Sequence, residues 1–442
     1  MARSRQYPSS VDPGLPVEPN LPPGWLRTTF GEVLQIVQRP VVLDDGAEYQ
    51  LVTARRSRGG IVPRERLKGH EILTKTQFEV RAGDFLISRR QIIHGACGVV
   101  PASLEGAVVS NEYATLRPRD GLLTSYLQYL AHTSYFQRTC FHSSVGVDVE
   151  KMIFKLDDWM RFPVQLPPLS EQRKIAVILS SVDDSIDAAQ AVIDQLHVVK
   201  KAVMAELLTR GVPGRHRRYV PFTGDWRVGR VRTGVLEIPE GWALVRLSSV
   251  ARLESGHTPS RRHPEYWNGD IPWVSLHDSK KLDDPEINDT VQTIGALGLE
   301  NSSARLLPKG TVVFSRTATV GKACITGREM ATSQDFANYV CGDQLHNRYL
   351  MHLFRNMEDE WRRLMAGSAH KTVYMPIFRK LEVLLPPLDE QQDIAAAADA
   401  FDARLEAEKG VIAGLRRLKA ALMRALLTGE TRVTPSQDEV AA

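Results

Sequence analysis

The chain has 442 residues, of which 43% are hydrophobic and 24% charged, and its formal net charge at pH 7 is +4. This length indicates two or three domains, and the composition is that of an ordinary soluble globular protein. No apolar run approaches the roughly 18 to 20 residues of a membrane helix, so a membrane partner is not expected.

The N-terminal residues and the spacing of the cysteines indicate the cellular compartment of the protein. Residues 1–20 are polar and Pro-rich without the apolar stretch of a secretory signal, and are expected to be a flexible extension. The cysteines are widely spaced and form no Cys-x-x-Cys pair, which argues against zinc and against a disulfide framework. Both observations fit a reducing cytoplasm, where we expect the protein to be located.

Two globular regions are predicted in the chain, and they are called the first and the second head. The first head, residues 21–165, is predicted to be an α+β domain with a basic surface. Short β-type runs such as 85–88 alternate with Gly-bearing turns and helical stretches such as 122–130. Residues 49–90 hold ten Lys or Arg against four acids, a composition suited to DNA phosphates and base edges. For any single arginine, a solvated surface charge remains the alternative. The predicted DNA-contacting residues of this head are Arg55, Arg56, Arg58, Ser88, Arg89, Arg90 and His94.

A long helix is predicted over residues 166–211, after Pro167 and Pro168, which cannot continue a helix backward. Its apolar residues alternate at spacings of four and three, the pattern of a coiled-coil seam, which Lys200 interrupts. The predicted helix-pairing residues are Ile175, Leu179, Val182, Ile186, Ile193 and Leu196.

A connector is predicted over residues 212–236. The stretch from Arg210 to Arg232 contains seven arginines and one acid, Asp225. Three roles remain possible for this stretch: it contacts the DNA backbone, it contacts an acidic protein surface, or it is simply solvated.

The second head, residues 237–384, is also predicted to be α+β. Its charges are balanced, with six basic residues and six acids between residues 271 and 322. The predicted DNA-contacting residues are Arg316, Thr317 and Lys322, and the run Arg261-Arg262-His263 is a further candidate.

A second long helix is predicted over residues 385–430, followed by a flexible tail, 431–442. Its seam is broken at Glu408 and at Lys419, the latter being the repeat counterpart of Lys200. Two stripes of two apolar residues per heptad can bury each other, which favours an antiparallel pair, although packing of each helix on its own domain is the alternative. The predicted pairing residues are Ile394, Phe401, Leu405, Ile412 and Leu415.

The two halves of the chain are a duplication. The segment Leu166–Ala176 returns as Leu385–Ala395, and the same offset of 219 residues carries Leu207-Leu208-Thr209 onto residues 426–428. The heads agree only at scattered points, such as Ser110–Tyr113 with Ser333–Phe336. The predicted fold is therefore α+β, with two pseudo-repeated heads separated by two long antiparallel spacer helices.

No catalytic motif accompanies this architecture. Gly321-Lys322 lacks the preceding glycine and following Ser or Thr of a phosphate-binding loop, and neither metal-ligand spacing nor a Gly-x-Gly-x-x-Gly motif is present. We expect the chain to bind DNA without catalysing a reaction and to contain no cofactor.

The doubled Leu-Pro-Pro-Leu-x-Glu-Gln helix start, the two Leu-Leu-Thr ends and Glu237–Trp242 resemble the specificity subunit of type I restriction–modification systems over nearly the whole chain. The resemblance implies two target-recognition domains, each binding one half of a split, asymmetric site in double-stranded DNA, with the helices setting the gap. It also implies two modification subunits that methylate adenine N6 with S-adenosylmethionine. Restriction subunits that use ATP and Mg for translocation and cleavage are implied as well.

Three alternatives remain at this level. The first is a non-catalytic DNA-binding regulator or bridging protein with the same two heads, which would more often bind as a symmetric dimer. The second is an enzyme whose catalytic residues meet only in the folded chain and form no sequence motif. The third keeps the family but places the chain in a modification-only or type II-like complex.

Overall fold

The structure, a computed structural model, describes residues 7–222, 236–365 and 371–433. The chain divides into two compact units, the first comprising Met1–Ala189 and Val411–Ala442 and the second Gln190–Gly410. Each unit contains one head, the start of one long helix and the end of the other. Neither long helix therefore belongs to a single unit, and the domain boundaries expected from the sequence stay a prediction.

The elements of the first half follow in chain order. The strands are β1 (Leu26–Thr29), β2 (Leu34–Ile36), β3 (Pro40–Val41), β4 (Glu48–Ala54), β5 (Ile61–Lys68), β6 (Gln77–Glu79), β7 (Phe85–Ser88), β8 (Cys97–Val99), β9 (Val108–Ser110), β10 (Tyr113–Pro118), β11 (Ser144–Val145), β12 (Ile153–Phe154) and β13 (Pro163–Leu166). The helices are α1 (Phe30–Val33), α2 (Thr124–Leu130), α3 (Ser134–His142), α4 (Leu156–Trp159) and the long helix α5 (Leu169–Arg210).

The elements of the second half repeat much of this order. The strands are β14 (Tyr219–Pro221), β15 (Glu237–Pro239), β16 (Ala243–Arg246), β17 (Ala251–Ser255), β18 (Trp267–Val274), β19 (Glu286–Ile287), β20 (Gln292–Ile294), β21 (Val312–Ser315), β22 (Ala323–Thr326), β23 (Ala331–Thr332), β24 (Phe336–Cys341) and β25 (Glu382–Leu385). The helices are α6 (Leu247–Val250), α7 (Ala296–Glu300), α8 (Asn347–Arg355), α9 (Glu358–Met365), α10 (Met375–Arg379) and the long helix α11 (Leu388–Leu427). The predicted α+β class with two long helices is confirmed.

Strand β7 of the first head and strand β21 of the second are buried on both faces. Phe85 and Ile87 of β7 belong to one apolar cluster and Leu86 to another, and alternate residues of β21 divide between two clusters in the same way. Because side chains alternate along a strand, an uninterrupted apolar run is what a strand covered on both faces requires. The sheets have the strand order β2-β10-β7-β8 in the first head and β17-β24-β21-β22-β19 in the second, so these strands are interior and hold the loops that follow them.

The doubled Leu-Pro-Pro-Leu-x-Glu-Gln motif attaches each long helix to its head. The buried Gln172 side chain accepts a hydrogen bond from the backbone N–H of Leu123 (2.9 Å) and donates one to the carbonyl of Pro167 (2.9 Å). Gln391 does the same in the second unit, where it accepts from the backbone N–H of His346 (2.8 Å). The motif is thus a structural joint between the helix and the loop before α2 or α8.

The predicted seam residues lie on the inward side of the helices. Buried are Ile175, Leu179, Val182, Ile193, Ile394, Leu405 and Ile412, and half-buried are Ile186, Leu196, Phe401 and Leu415. In the first unit, the start of α5 and the end of α11 contribute to one apolar cluster. In the second unit, the end of α5 and the start of α11 contribute to another, so the helices pair antiparallel within each unit. Which individual positions pair stays a prediction.

The lysines that interrupt the seams form ion pairs between the helices. Lys419 Nζ lies 2.5 Å from Asp183 Oδ1 in the first unit, and Lys200 pairs with Asp402 in the second. Both the lysines and the aspartates are repeat counterparts, 219 residues apart, so the duplication has preserved the whole pair. Glu408 instead pairs with Arg404 of its own helix.

Residues 7–20, predicted to be a flexible extension, lie against the first head. Val11 is buried in its core, and Arg138 Nε donates to the carbonyl of Asp12 at 3.0 Å. The prediction of a free extension is thus corrected for these residues.

The connector and the tail are only partly described. In the connector, β14 pairs antiparallel with β15. Most of the remaining Arg-rich stretch, residues 223–235, and the tail residues 434–442 lie outside the described residues.

Candidate nucleic-acid interface

The basic loop between β4 and β5 is joined to the turn that follows β7. Ser57 and Arg58 adopt left-handed φ values of 56° and 62°, which non-glycine residues rarely adopt. Their backbone N–H groups donate to the carbonyls of His94 (2.6 Å) and Gly95 (3.1 Å), and these bonds offset the strain. Two sets of predicted DNA-contacting residues, far apart in sequence, therefore share one surface.

The three arginines of this loop have different environments. Arg55 is exposed and has no side-chain hydrogen bond or ion pair to any described residue. Arg56 is also exposed but lies 3.0 Å from a carboxylate oxygen of Glu150. Arg58 is half-buried, and its Nη2 donates to the carbonyl of Ser10 at 3.0 Å. This bond fastens the N-terminal segment to the head, and the predicted DNA contact of Arg58 stays a prediction.

Ser88, His94 and Arg90 are also constrained by their surroundings. Ser88 is buried at the end of β7, a position that does not fit the predicted contact. Burial lowers the pKa of His94, so its imidazole is neutral at pH 7 and adds no positive charge. Arg90 is exposed and forms a two-bond pair with Glu112, at 2.5 and 3.1 Å.

Arg89 is the arginine of this head whose geometry best suits base recognition. Its backbone is fixed, because its N–H donates to the carbonyl of Glu112 (2.8 Å) and its carbonyl accepts from Phe154 (2.9 Å). Its half-exposed guanidinium has no partner among the described residues. It lines a cleft of about 90 Å³ whose other polar lining residues are Gln38, Asn111, Tyr113 and Thr115.

The cleft adds residues that the sequence analysis did not select. Amide and guanidinium groups are the side chains that recognise purine edges, so Gln38 and Asn111 extend the candidate interface. The available signal for Asn111 was its place in Ser110–Tyr113, the segment that recurs in the second head.

In the second head, the residue that corresponds to Arg89 is differently engaged. The Arg316 N–H donates to the carbonyl of Asp335 at 2.9 Å, as that of Arg89 does to Glu112. The Arg316 guanidinium, however, donates to the carbonyls of Gln334 (2.9 Å) and Val373 (3.4 Å). Burial also lowers the pKa of Arg316, although the guanidinium stays protonated at neutral pH. The side chain therefore stabilises the loop that follows β21.

Thr317 and Lys322 are likewise engaged within the head. Lys322 Nζ donates to the carbonyl of Ser279 at 3.0 Å and lies 2.6 Å from Asp283. Thr317 pairs through its backbone with Thr372 in an isolated β-bridge. Arg316, Thr317 and Lys322, the predicted DNA-contacting residues of the second head, thus all have partners inside the head.

Among residues 7–222, 236–365 and 371–433, no group of three or more His, Cys, Asp or Glu side chains has a metal-binding arrangement. No helix in that part of the chain combines the length and the apolar character needed to span a membrane.

Comparison with known proteins gives consistent matches. A family model described as "Type I restriction modification DNA specificity domain" matches residues 27–198 and again residues 239–417. The chain is 28% identical over 186 residues to the type I restriction enzyme MjaIX specificity subunit of Methanocaldococcus jannaschii, covering 42% of this chain and 43% of that relative. It is 23% identical over 321 residues to the putative MjaX specificity subunit of the same organism, covering 72% and 71%.

A solved structure has the same fold. It is described as "Structural basis underlying complex assembly and conformational transition of the type I R-M system", and the match has a TM-score of 0.61 and 18% identity. The match covers 93% of this chain and all of that chain. At this identity the likeness concerns the fold alone.

Proposed function

This chain belongs to the family of type I restriction–modification DNA specificity domains, and on that premise we propose that it recognises a bipartite, asymmetric DNA site for a type I restriction–modification complex. The observation that supports this most strongly is that the family model matches the chain twice, each match spanning one head and most of the long helix that follows it. Two unlike heads in one chain suit two unlike half-sites.

The chemistry is assigned to partners. Modification subunits would supply S-adenosylmethionine and methylate adenine N6, and restriction subunits would supply ATP-driven translocation and Mg-dependent cleavage. This chain would itself be non-catalytic and act with DNA in the cytoplasm. Its own contribution is to position each half-site by hydrogen bonds to base edges and phosphates.

Co-expression with the cognate modification subunit tests this function. In a host without adenine methylation, we expect methylome sequencing to show N6-methyladenine in a two-part motif with a fixed gap. The modification subunit expressed without this chain is the control and should methylate no such motif. A stable complex that methylates no two-part motif would contradict the proposal and favour a regulator or bridging protein.

Adding the restriction subunit to the same cells separates the two complexes that remain. Restriction of unmethylated phage DNA would identify a restricting complex. Methylation without restriction, in cells that contain an assembled restriction subunit, would identify a modification-only complex.

Arg89→Ala is expected to relax specificity at one base of the first half-site. The guanidinium has no partner within the described protein, so a two-bond contact with guanine would account for about 1 to 3 kcal/mol of discrimination. The measurement is the methylated motif of the variant complex. Arg119→Ala is the matched control, because Arg119 is an exposed arginine of the same head whose side chain has no partner among the described residues. A uniform loss of binding at all sequences, with a shallower salt dependence, would instead identify Arg89 as a phosphate contact.

A further inference from the structure

The second head has one exposed basic segment whose neighbourhood suits base recognition. Residues 257–263, between β17 and β18, read His-Thr-Pro-Ser-Arg-Arg-His and contain no acid. His257, Arg261, Arg262 and His263 are all exposed. The candidates Arg316 and Lys322 have partners inside the head, and neither Arg261 nor Arg262 has a carboxylate partner among the described residues.

Two tryptophans hold this segment in place. Trp267 Nε1 donates to the carbonyl of Ser260 (3.2 Å), and Trp273 Nε1 donates to the carbonyl of His257 (3.0 Å). The two indole rings meet edge to face, with their centroids 5.1 Å apart. The segment is therefore attached at its first residue, His257, and at its middle residue, Ser260, to this pair of indole rings.

Arg261 lies directly on this pair. Its Cζ is 3.8 Å from the ring centroid of Trp267, and its Nη2 donates to Gln292 Oε1 at 2.9 Å. A guanidinium stacked on an aromatic face is pre-organised, so less rotamer freedom is lost when it binds a ligand. A guanidinium has five N–H donors, and only the bond to Gln292 is formed with the described protein, so an edge remains for a ligand.

The location corresponds to the Arg89 cleft of the first head. β17 pairs with β24 as β2 pairs with β10, so the segment after β17 occupies the place of the segment that contributes Gln38 to the cleft. Thr258 donates to the side chain of Gln334 at 2.6 Å, and Gln334 occupies the repeat position of Asn111. The second head thus brings an arginine and amide groups to the equivalent place, with the arginine supplied by a different loop.

We propose that Arg261 is the specificity-determining residue of the second head and binds the O6 and N7 edge of a guanine in the second half-site. This inference rests on the proposed function. Arginine bound to that edge by two hydrogen bonds is the commonest specific contact with DNA, and it needs the planar, fixed guanidinium seen here. Trp267 acts as a positioning residue that holds Arg261 flat.

The test compares the methylated motifs of complexes that contain the wild-type chain, Arg261→Ala, Arg261→Lys and Arg305→Ala. We expect Arg261→Ala to lower discrimination roughly ten- to a hundredfold at one guanine of one half-site and to leave the other half-site unchanged. Arg261→Lys should give a similar relaxation, because it keeps the charge and loses the planar fork. Arg305 is exposed and has no partner among the described residues of the same head, so Arg305→Ala should leave the motif unchanged.

Different outcomes of this test would contradict the role of Arg261 and the proposed function on which it rests. An unchanged motif in both Arg261 variants would overturn the inference while leaving the function intact. A loss of binding to all sequences in Arg261→Ala that does not occur in Arg261→Lys would also overturn the inference, because that pattern identifies a phosphate contact. A wild-type complex that methylates no two-part motif would contradict the proposed function itself. Trp267→Leu is a second variant. We expect it to weaken the preference for the same guanine, but less than Arg261→Ala does. A change of preference at any other base in Trp267→Leu would also overturn the inference.

Discussion

Replacing Glu390 with alanine is expected to destabilise the second unit by about 3 to 5 kcal/mol. The Glu390 carboxylate is fully buried in the first turn of α11. It accepts hydrogen bonds from the backbone N–H of Val212 (3.0 Å) and from the indole N–H of Trp242 (2.9 Å), and His216 Nε2 lies 2.6 Å from it. Alanine would leave several buried donors without their acceptor at once, which is why the loss exceeds that of one hydrogen bond.

The repeat provides a matched control in Glu171→Ala. Glu171 is the counterpart of Glu390 and is also buried, but Arg432 binds it, with contacts of 2.8 and 2.7 Å. The side chain of Arg432 is 39% exposed and can turn to solvent when its partner is removed. The counterpart of Trp242 in this unit, Trp25, makes no hydrogen bond through its indole N–H to the described protein. We therefore expect a smaller loss, about 1 to 3 kcal/mol.

Hydrogen exchange measured by mass spectrometry can follow the two units separately. Glu390→Ala should accelerate exchange in peptides from residues 211–222 and 388–398 and leave those from residues 124–142 near the wild-type rate. Glu171→Ala should show the reverse distribution with a smaller amplitude. Equal losses of stability in Glu390→Ala and Glu171→Ala would contradict the explanation that more buried donors depend on Glu390 than on Glu171.

The long helices could be predicted from sequence because their signals are local. The seam predicted from Ile175 to Leu207 lies within the observed helix Leu169–Arg210, and Pro167-Pro168 marks its start. The heptad pattern depends only on residues three and four apart, so it does not require knowledge of the fold.

The lysines in the seams illustrate where local signals end. Lys200 and Lys419 interrupt an apolar stripe, and nothing within either helix accounts for them. Their partners lie 202 and 236 residues away in sequence. Pairing them requires the antiparallel register of the two helices, which periodicity along one helix does not contain.

The environment of single side chains in the candidate interface also could not be predicted from local sequence. Arg89 and Arg316 each follow Ser at the end of equivalent strands, and from sequence both are predicted to contact DNA. Arg316 differs because the carbonyls of Gln334 and Val373, 18 and 57 residues away, occupy its guanidinium. Whether an arginine is available to a ligand is decided by such distant acceptors. Sequence alone therefore predicts candidate loops but does not tell which of their arginines are held by the protein itself.

Lengthening both long helices by one heptad is expected to widen the gap of the methylated motif by about three base pairs. Seven helical residues add about 10.5 Å at about 1.5 Å per residue, and DNA rises about 3.4 Å per base pair. This expectation rests on the proposed function, in which the helix pair measures the distance between half-sites. The heptads to duplicate are Gln190–Leu196 in α5 and its repeat counterpart Lys409–Leu415 in α11.

The choice of these heptads follows from the two ion pairs. In α5 the duplicated segment lies between Asp183 and Lys200, and in α11 it lies between Asp402 and Lys419, so each pair keeps both partners on one side of the insertion. Whole heptads also keep the seam in phase, with a drift of only about 20°. Duplicating the heptad in α5 alone is the control: with only one helix lengthened, the two ion pairs and the joints at Gln172 and Gln391 cannot all be kept, so this variant should lose stability. A doubly lengthened chain that retains its helix content and still methylates the original gap would rule out the helices as the ruler.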